Sequence, residues 1–108
     1  MSDIKVAQDL TYQREQILKS LQKDQAALRR MGVRRIGLFG SVVRGEARED
    51  SDLDFVVELE RVSFDGYMDL KFHLEDRFRK KIDLVLSHMI KPALRRRIHG
   101  ETIYVPGF

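Results

Sequence analysis

Leu38-Phe39-Gly40-Ser41-Val42-Val43-Arg44-Gly45, followed by Ser51-Asp52-Leu53-Asp54-Phe55-Val56-Val57, decides how this chain is read. Ile36-Gly37-Leu38-Phe39 is an apolar run that ends on a small-residue step, Gly40-Ser41. Ten residues then separate Ser41 from Asp52. A second run leads out of Asp52-Leu53-Asp54, with apolar Leu53, Phe55, Val57 and Leu59 alternating with Asp54, Val56 and Glu58. Alternation with a period of two predicts a strand with one packed and one partly polar face. Side chains two apart on a strand point the same way, so Asp52 and Asp54 share a side.

Outward from this pair, Val33 to Phe39 reads as the first strand and Leu53 to Leu59 as the second. Between them lies a polar connection from Gly40 to Ser51, with Arg44-Gly45 and Arg48-Glu49-Asp50. Upstream, Ile17, Leu18, Leu21 and Leu28 recur at helical spacing from about Thr11 to Arg30, and Gly32 fits a helix stop. The first ten residues show no clear period and are expected to be a disordered N-terminal segment. Downstream, Ser63 is a candidate N-cap for a helix whose stripe is Phe64, Tyr67, Met68, Leu74 and Phe78, read as core, with Lys71 the one break in it. Ile82 to Leu86 predicts a third strand, with Asp83 off its apolar face. A last helix from Ser87 or Pro92 to His99, ended by Gly100, precedes a short edge strand at Ile103-Tyr104-Val105. The predicted class is α+β (α/β-like): a small mixed sheet with helices on one face.

The chain has 108 residues, enough for one domain with one modest core. Its 43% hydrophobic and 34% charged residues describe a globular protein with a highly charged surface. No apolar run approaches a bilayer span, and Met1-Ser2-Asp3-Ile4-Lys5 lacks the apolar core of a signal peptide. Cysteine is absent, which excludes disulfides and thiolate metal sites. A cytoplasmic location with no membrane partner is expected. The net charge of +3 is mild, although Arg29-Arg30, Arg34-Arg35, Arg79-Lys80-Lys81 and Arg95-Arg96-Arg97 are basic clusters. No aromatic residues interleave with them to stack bases, so nucleic acid is not an expected partner and the arginine runs read as solvated or partner-facing. His73 is expected to be exposed, and His88 and His99 to be caps or surface groups.

The chemistry follows from the polar positions. Asp52, Asp54 and Asp83 are expected on one sheet face. Two carboxylates about 4 Å apart at an effective dielectric near 20 repel by roughly 4 kcal/mol, a cost that a cation removes. Oxygen-only ligands favour Mg²⁺ or Mn²⁺. Two such ions about 3.5–4 Å apart can clamp the attacking and leaving oxygens of an in-line displacement. Gly40 lets a backbone turn approach phosphate oxygens, and Ser41 offers a hydroxyl and an N–H to them. Arg44 can neutralise a phosphate or support the loop, and Gly45 would close the turn. The set can hold a metal-bound nucleoside triphosphate, which suggests phosphoryl or nucleotidyl transfer.

The quoted stretch resembles the motif of the DNA polymerase β-type nucleotidyltransferase superfamily. Lys81-Ile82-Asp83-Leu84-Val85 and the tail Ile90-Lys91-Pro92-Ala93-Leu94-Arg95 with Ile98, together with the short chain, are similar to the minimal nucleotidyltransferases, or MntA-like proteins. The resemblance covers roughly residues 14–105. It implies a polymerase β-type core, with one nucleotidyltransferase domain over residues 11–108 after the segment 1–10. It also implies that Asp52 and Asp54 ligate both metal ions, that Asp83 binds the catalytic metal and helps deprotonate the acceptor hydroxyl, and that Gly40 and Ser41 hold the triphosphate of ATP. Minimal nucleotidyltransferases are similar to the antitoxins of HEPN/MNT pairs, which transfer AMP to a tyrosine of a HEPN ribonuclease toxin. The expected function is therefore AMP transfer to a HEPN-type partner. The alternatives are transfer to a small-molecule acceptor and a non-catalytic antitoxin that neutralises by contact.

Overall fold

The computed structural model describes residues 2–48 and 50–108, with side chains from Gln13 onward. The elements run α1 (Ser2–Lys23), α2 (Gln25–Arg30), β1 (Val33–Phe39), α3 (Ser41–Arg44), β2 (Leu53–Leu59), α4 (Phe64–Phe78), β3 (Ile82–Leu86), a 3₁₀ turn (Ser87–Met89), α5 (Pro92–Glu101) and β4 (Ile103–Tyr104). The helix expected from Thr11 to Arg30 is the later part of α1 together with α2, with a break at Asp24. The segment expected at residues 1–10 is, from Ser2, backbone of α1, its side chains lying outside the described residues, as does Glu49 of the polar connection. Among the described residues no helix is long and apolar enough to cross a membrane.

The sheet order is β3-β2-β1-β4. Strands β1 and β2 pair antiparallel, as do β1 and β4, while β2 and β3 are parallel. The sheet is therefore mixed, as the sequence predicts, with α4 as the crossover that a parallel pair requires. The apolar alternation of β2 places Leu53, Phe55 and Val57 in the core with Ile36 and Leu38 of β1 and Ile82, Leu84 and Leu86 of β3. Ile17 and Leu21 of α1, Leu28 of α2, Val42 of α3, and Leu70 and Leu74 of α4 cover that face. Val56 is also buried but stands apart from this cluster, consistent with its opposite parity.

Helix α4 begins as expected: Ser63 Oγ accepts a hydrogen bond from the Gly66 N–H at 3.0 Å. Its buried line differs from the expected stripe. Leu70 and Leu74 are fully buried, and Tyr67 and Phe78 pack partly against the core, whereas Phe64 is 77% exposed. Phe64 is the first residue of the helix, and the contact to β3 is made by Tyr67, whose hydroxyl donates to the Leu84 carbonyl at 2.7 Å. His73 is not a free surface group either. Its Nε2 lies 2.6 Å from Asp24 Oδ2, and Arg77 reaches the same carboxylate at 3.7 Å, so these two residues tie α4 to the α1–α2 corner.

Helix α5 contributes nothing to the main core. Its sequence, PALRRRIHGE, has too few apolar residues for a core-facing stripe. It is fastened instead to the sheet edge: His99 Nδ1 lies 2.6 Å from the hydroxyl of Tyr104 on β4, whose ring is itself held by the Arg35 guanidinium of β1, 3.6 Å from the ring centroid. The helix also runs past Gly100. The Thr102 N–H and hydroxyl both donate to the Ile98 carbonyl, which ends the helix at Glu101 and keeps Glu101 on its last turn.

Candidate active site

The site is assembled where β1 ends and β2 begins. Register places Phe39 opposite Asp54 and Asp54 opposite Asp83. Paired residues on adjacent strands share a face and lie about 4.7–4.9 Å apart, so Asp54 and Asp83 are neighbours by construction. Gly40, the next residue along from Phe39, adopts φ 81° and ψ −149°, a conformation almost confined to glycine. Its backbone lies so close to Asp54 that a Cβ there would sit 2.1 Å from Asp54 Oδ2. The turn and the carboxylate are therefore one unit, which neither motif reveals alone. Behind Gly40, α3 is a single turn closed by Gly45 in the left-handed region, as expected.

The electrostatics centre on Asp54. Its carboxyl is pushed up to about 6, first by burial, then by the negative charges of Asp83 and Asp52 and by hydrogen bonding with Asp83; the Ser41 N–H, which donates to it, works in the opposite direction. Asp52 and Asp83 are exposed and Asp54 is half-buried. Among the described residues no three acidic or histidine side chains enclose a common metal position. The three aspartates border one site, with Asp54 within hydrogen-bonding reach of Asp83. The donor set nevertheless suits a hard divalent cation: its ligands are oxygens only, and the like charges that raise Asp54 are what such a cation would offset. Asp52, Asp54 and Asp83 fit Mg²⁺ or Mn²⁺ on these grounds.

The raised Asp54 carboxyl has a consequence for stability. A carboxyl with a folded-state value of about 6 against an ordinary 3.8 favours the folded state fully below about pH 4, and that contribution disappears as pH rises through 6. Because the group is only half-buried, screening reduces the effect to about 1 kcal/mol. In chelator, urea unfolding of wild type and Asp54→Asn at pH 4 and 7.5 should show the variant gaining about 1 kcal/mol relative to wild type at the higher pH. An unchanged difference would contradict this.

Arg44 is placed as a support for the loop. Its Nε lies 3.1 Å from Glu46 and its Nη1 3.1 Å from Glu101. The same Glu101 carboxylate accepts from the Gly40 N–H at 3.3 Å. Sequence reasoning does not single out Glu101, because its partners lie far back along the chain. Its residue spacing from Arg97, four positions along one helix, is the one local signal. Phe39, Gly40, Arg44, Asp54, Leu94, Arg97, Ile98 and Glu101 together line a cleft of about 250 Å³. A larger hollow of about 340 Å³, between Val62, Phe64, Tyr67, Leu84 and Met89, is apolar and carries none of these groups.

Comparison with known proteins identifies the family. Residues 15–106 match the polymerase beta nucleotidyltransferase family. Protein adenylyltransferase MntA of Thermococcus cleftensis is 42% identical over 77 residues, covering 70% of this chain and 78% of that protein. A solved structure described as a minimal nucleotidyltransferase superposes with a TM-score of 0.66 at 36% identity, over 90% of this chain and 93% of that one. The fold also matches, at a TM-score of 0.57 and 18% identity, the complex of a tri-AMPylated Shewanella oneidensis HEPN toxin with an MNT antitoxin, covering 92% of this chain and 73% of that one. A glycine turn pressed against paired aspartates on a mixed sheet, carried by a sequence that matches over nearly its whole length, places this chain among the minimal nucleotidyltransferases of the polymerase β nucleotidyltransferase family.

Proposed function

We propose that this chain is a single nucleotidyltransferase domain over residues 11–108 that transfers AMP from ATP to a tyrosine hydroxyl of a HEPN-type ribonuclease toxin and silences it. The observation that carries the reading is the packing of Gly40 directly on Asp54, beside Asp83. It sets the Ser41 hydroxyl, suited to a phosphate oxygen, on a turn that adjoins acidic side chains suited to a cation. The AMP-modified toxin in the structurally similar complex supports the choice of nucleotide and acceptor. A location in the cytoplasm accords with an ATP donor.

Asp52, Asp54 and Asp83 would hold Mg²⁺ or Mn²⁺, which supplies charge neutralisation at the phosphates and lowers the pKa of an oxygen bound to it. The chain's own residues do the rest. Gly40, whose missing side chain makes room for the Asp54 carboxylate, keeps the turn against it, and the Ser41 hydroxyl orients the phosphate oxygens. The tyrosine oxygen attacks the α-phosphorus, the bond to the β-phosphate oxygen breaks, and pyrophosphate departs. The hydroxyl proton passes to the Asp83 carboxylate, which is exposed and open to an incoming acceptor.

Incubation of the purified chain with ATP, Mg²⁺ and its HEPN protein should raise the intact mass of the HEPN protein by one AMP per transfer. A HEPN protein whose mass stays unchanged, with the chain shown folded and bound to it, would refute the enzymatic reading of this pair.

A further inference from the structure

The cleft beside Gly40 and Asp54 is short of positive charge. Arg44 lines it, but its guanidinium faces two carboxylates, Glu46 and Glu101, a triplet whose charges sum to −1. Asp54 adds a further acidic group. A triphosphate entering here meets more negative than positive charge from these side chains. Of the residues lining the cleft, Arg97 is the cation with no carboxylate partner among the described residues.

Its position comes from α5. Arg97 and Glu101 are four residues apart and so lie on one helix face. Leu94 and Ile98 line the cleft with them, whereas Arg95 and Arg96 do not. The helix is pinned at its far end by Glu101 on the Gly40 N–H and by His99 on Tyr104. Arg97 is thus an exposed guanidinium projected from a fixed segment. The cleft, at about 250 Å³, is smaller than the roughly 300–1,000 Å³ that encloses a whole small ligand. It has room for a phosphate chain, with the rest of a nucleotide lying outside.

We propose that Arg97 is a nucleotide-binding residue that holds a phosphate group of ATP through its guanidinium fork, a role that rests on the nucleotidyltransfer reading above. Arg44 then keeps the turn in shape through Glu46 and Glu101, and Arg97 supplies the charge the phosphates meet. Guanidinium pairs with phosphate in two parallel hydrogen bonds, which an ammonium cannot reproduce.

Calorimetric titration of the whole chain with ATP and Mg²⁺, without an acceptor, tests this. Arg97→Gln should weaken binding about tenfold and Arg97→Lys about threefold, since lysine keeps charge but not the fork. Arg96→Gln, one residue away with the same charge change, should stay within about twofold. The loss at Arg97 should vanish when adenosine replaces ATP. Wild-type binding retained in Arg97→Gln would overturn the proposal while leaving nucleotidyl transfer intact. So would an equal loss in Arg96→Gln, which marks a diffuse field, or an equal loss for adenosine, which marks a damaged fold. A wild-type chain that takes up no ATP would overturn both readings together.

Discussion

Asp54→Asn should lower AMP transfer about 10³-fold while leaving the chain folded. The magnitude follows from what the carboxylate does. A cation held at the phosphates contributes several kcal/mol of charge stabilisation in the transition state, and about 4 kcal/mol is about 10³ in rate. Asparagine keeps the shape and one oxygen but removes the charge that would hold the cation. The fold should not suffer, because burial and the charges of Asp83 and Asp52 already disfavour the ionised carboxyl at that position. The same substitution therefore separates activity from stability, a frequent property of sites held under strain. Intact-mass assay of the HEPN protein and urea unfolding of the variant measure the two effects. The variant also separates enzyme from contact-only antitoxin. Loss of AMP transfer with loss of neutralisation supports the enzyme, and full neutralisation by Asp54→Asn shows that contact alone suffices.

Much of this site is legible in the amino-acid sequence because β-strand parity is strict. Leu53, Phe55 and Val57 must face the core once one of them does, and Asp54 is then forced to the other side. Asp83, between Ile82 and Leu84, obeys the same rule on β3, and the parallel register sets it beside Asp54. Helix α4 is harder to read because it carries more large side chains than its core face can take. Phe64 and Phe72 stand exposed while Leu70 and Leu74 are buried, and periodicity alone does not tell an aromatic on the rim from a leucine beneath it. The contacts of α5 are hidden for another reason. Glu101 reaches Gly40 and Arg44 only after the sheet has brought β4 alongside β1. That proximity is tertiary, so a run such as Arg95-Arg96-Arg97 gives no local sign of which arginine turns toward the cleft. The same holds for His73, whose partner Asp24 sits on another helix corner.

Gly40→Ala should cost about 2–4 kcal/mol of stability and reduce transfer at least about 10²-fold. Two terms add. The backbone at φ 81° and ψ −149° is essentially closed to residues with a Cβ, a strain of about 1–3 kcal/mol. The new Cβ would also lie 2.1 Å from Asp54 Oδ2, 2.8 Å from its Cγ and 3.0 Å from its Cβ, so the aspartate must rotate or the strands must part. Either movement takes the carboxylate away from Asp83. Gly45→Ala is the control for an ordinary left-handed position without a clash. Gly45 also has positive φ, at 74°, but no atom lies within 4 Å of a Cβ built there. It should cost only about 1 kcal/mol, the ordinary penalty for a side chain in the left-handed region, and leave transfer within a few-fold of wild type. Thermal unfolding and AMP transfer measured on the two variants side by side decide the matter. Equal damage at both glycines would mean that backbone strain alone governs the turn. Damage concentrated at Gly40 would mean that this glycine is required both for its own backbone conformation and because the turn and the acidic site share the same few ångströms.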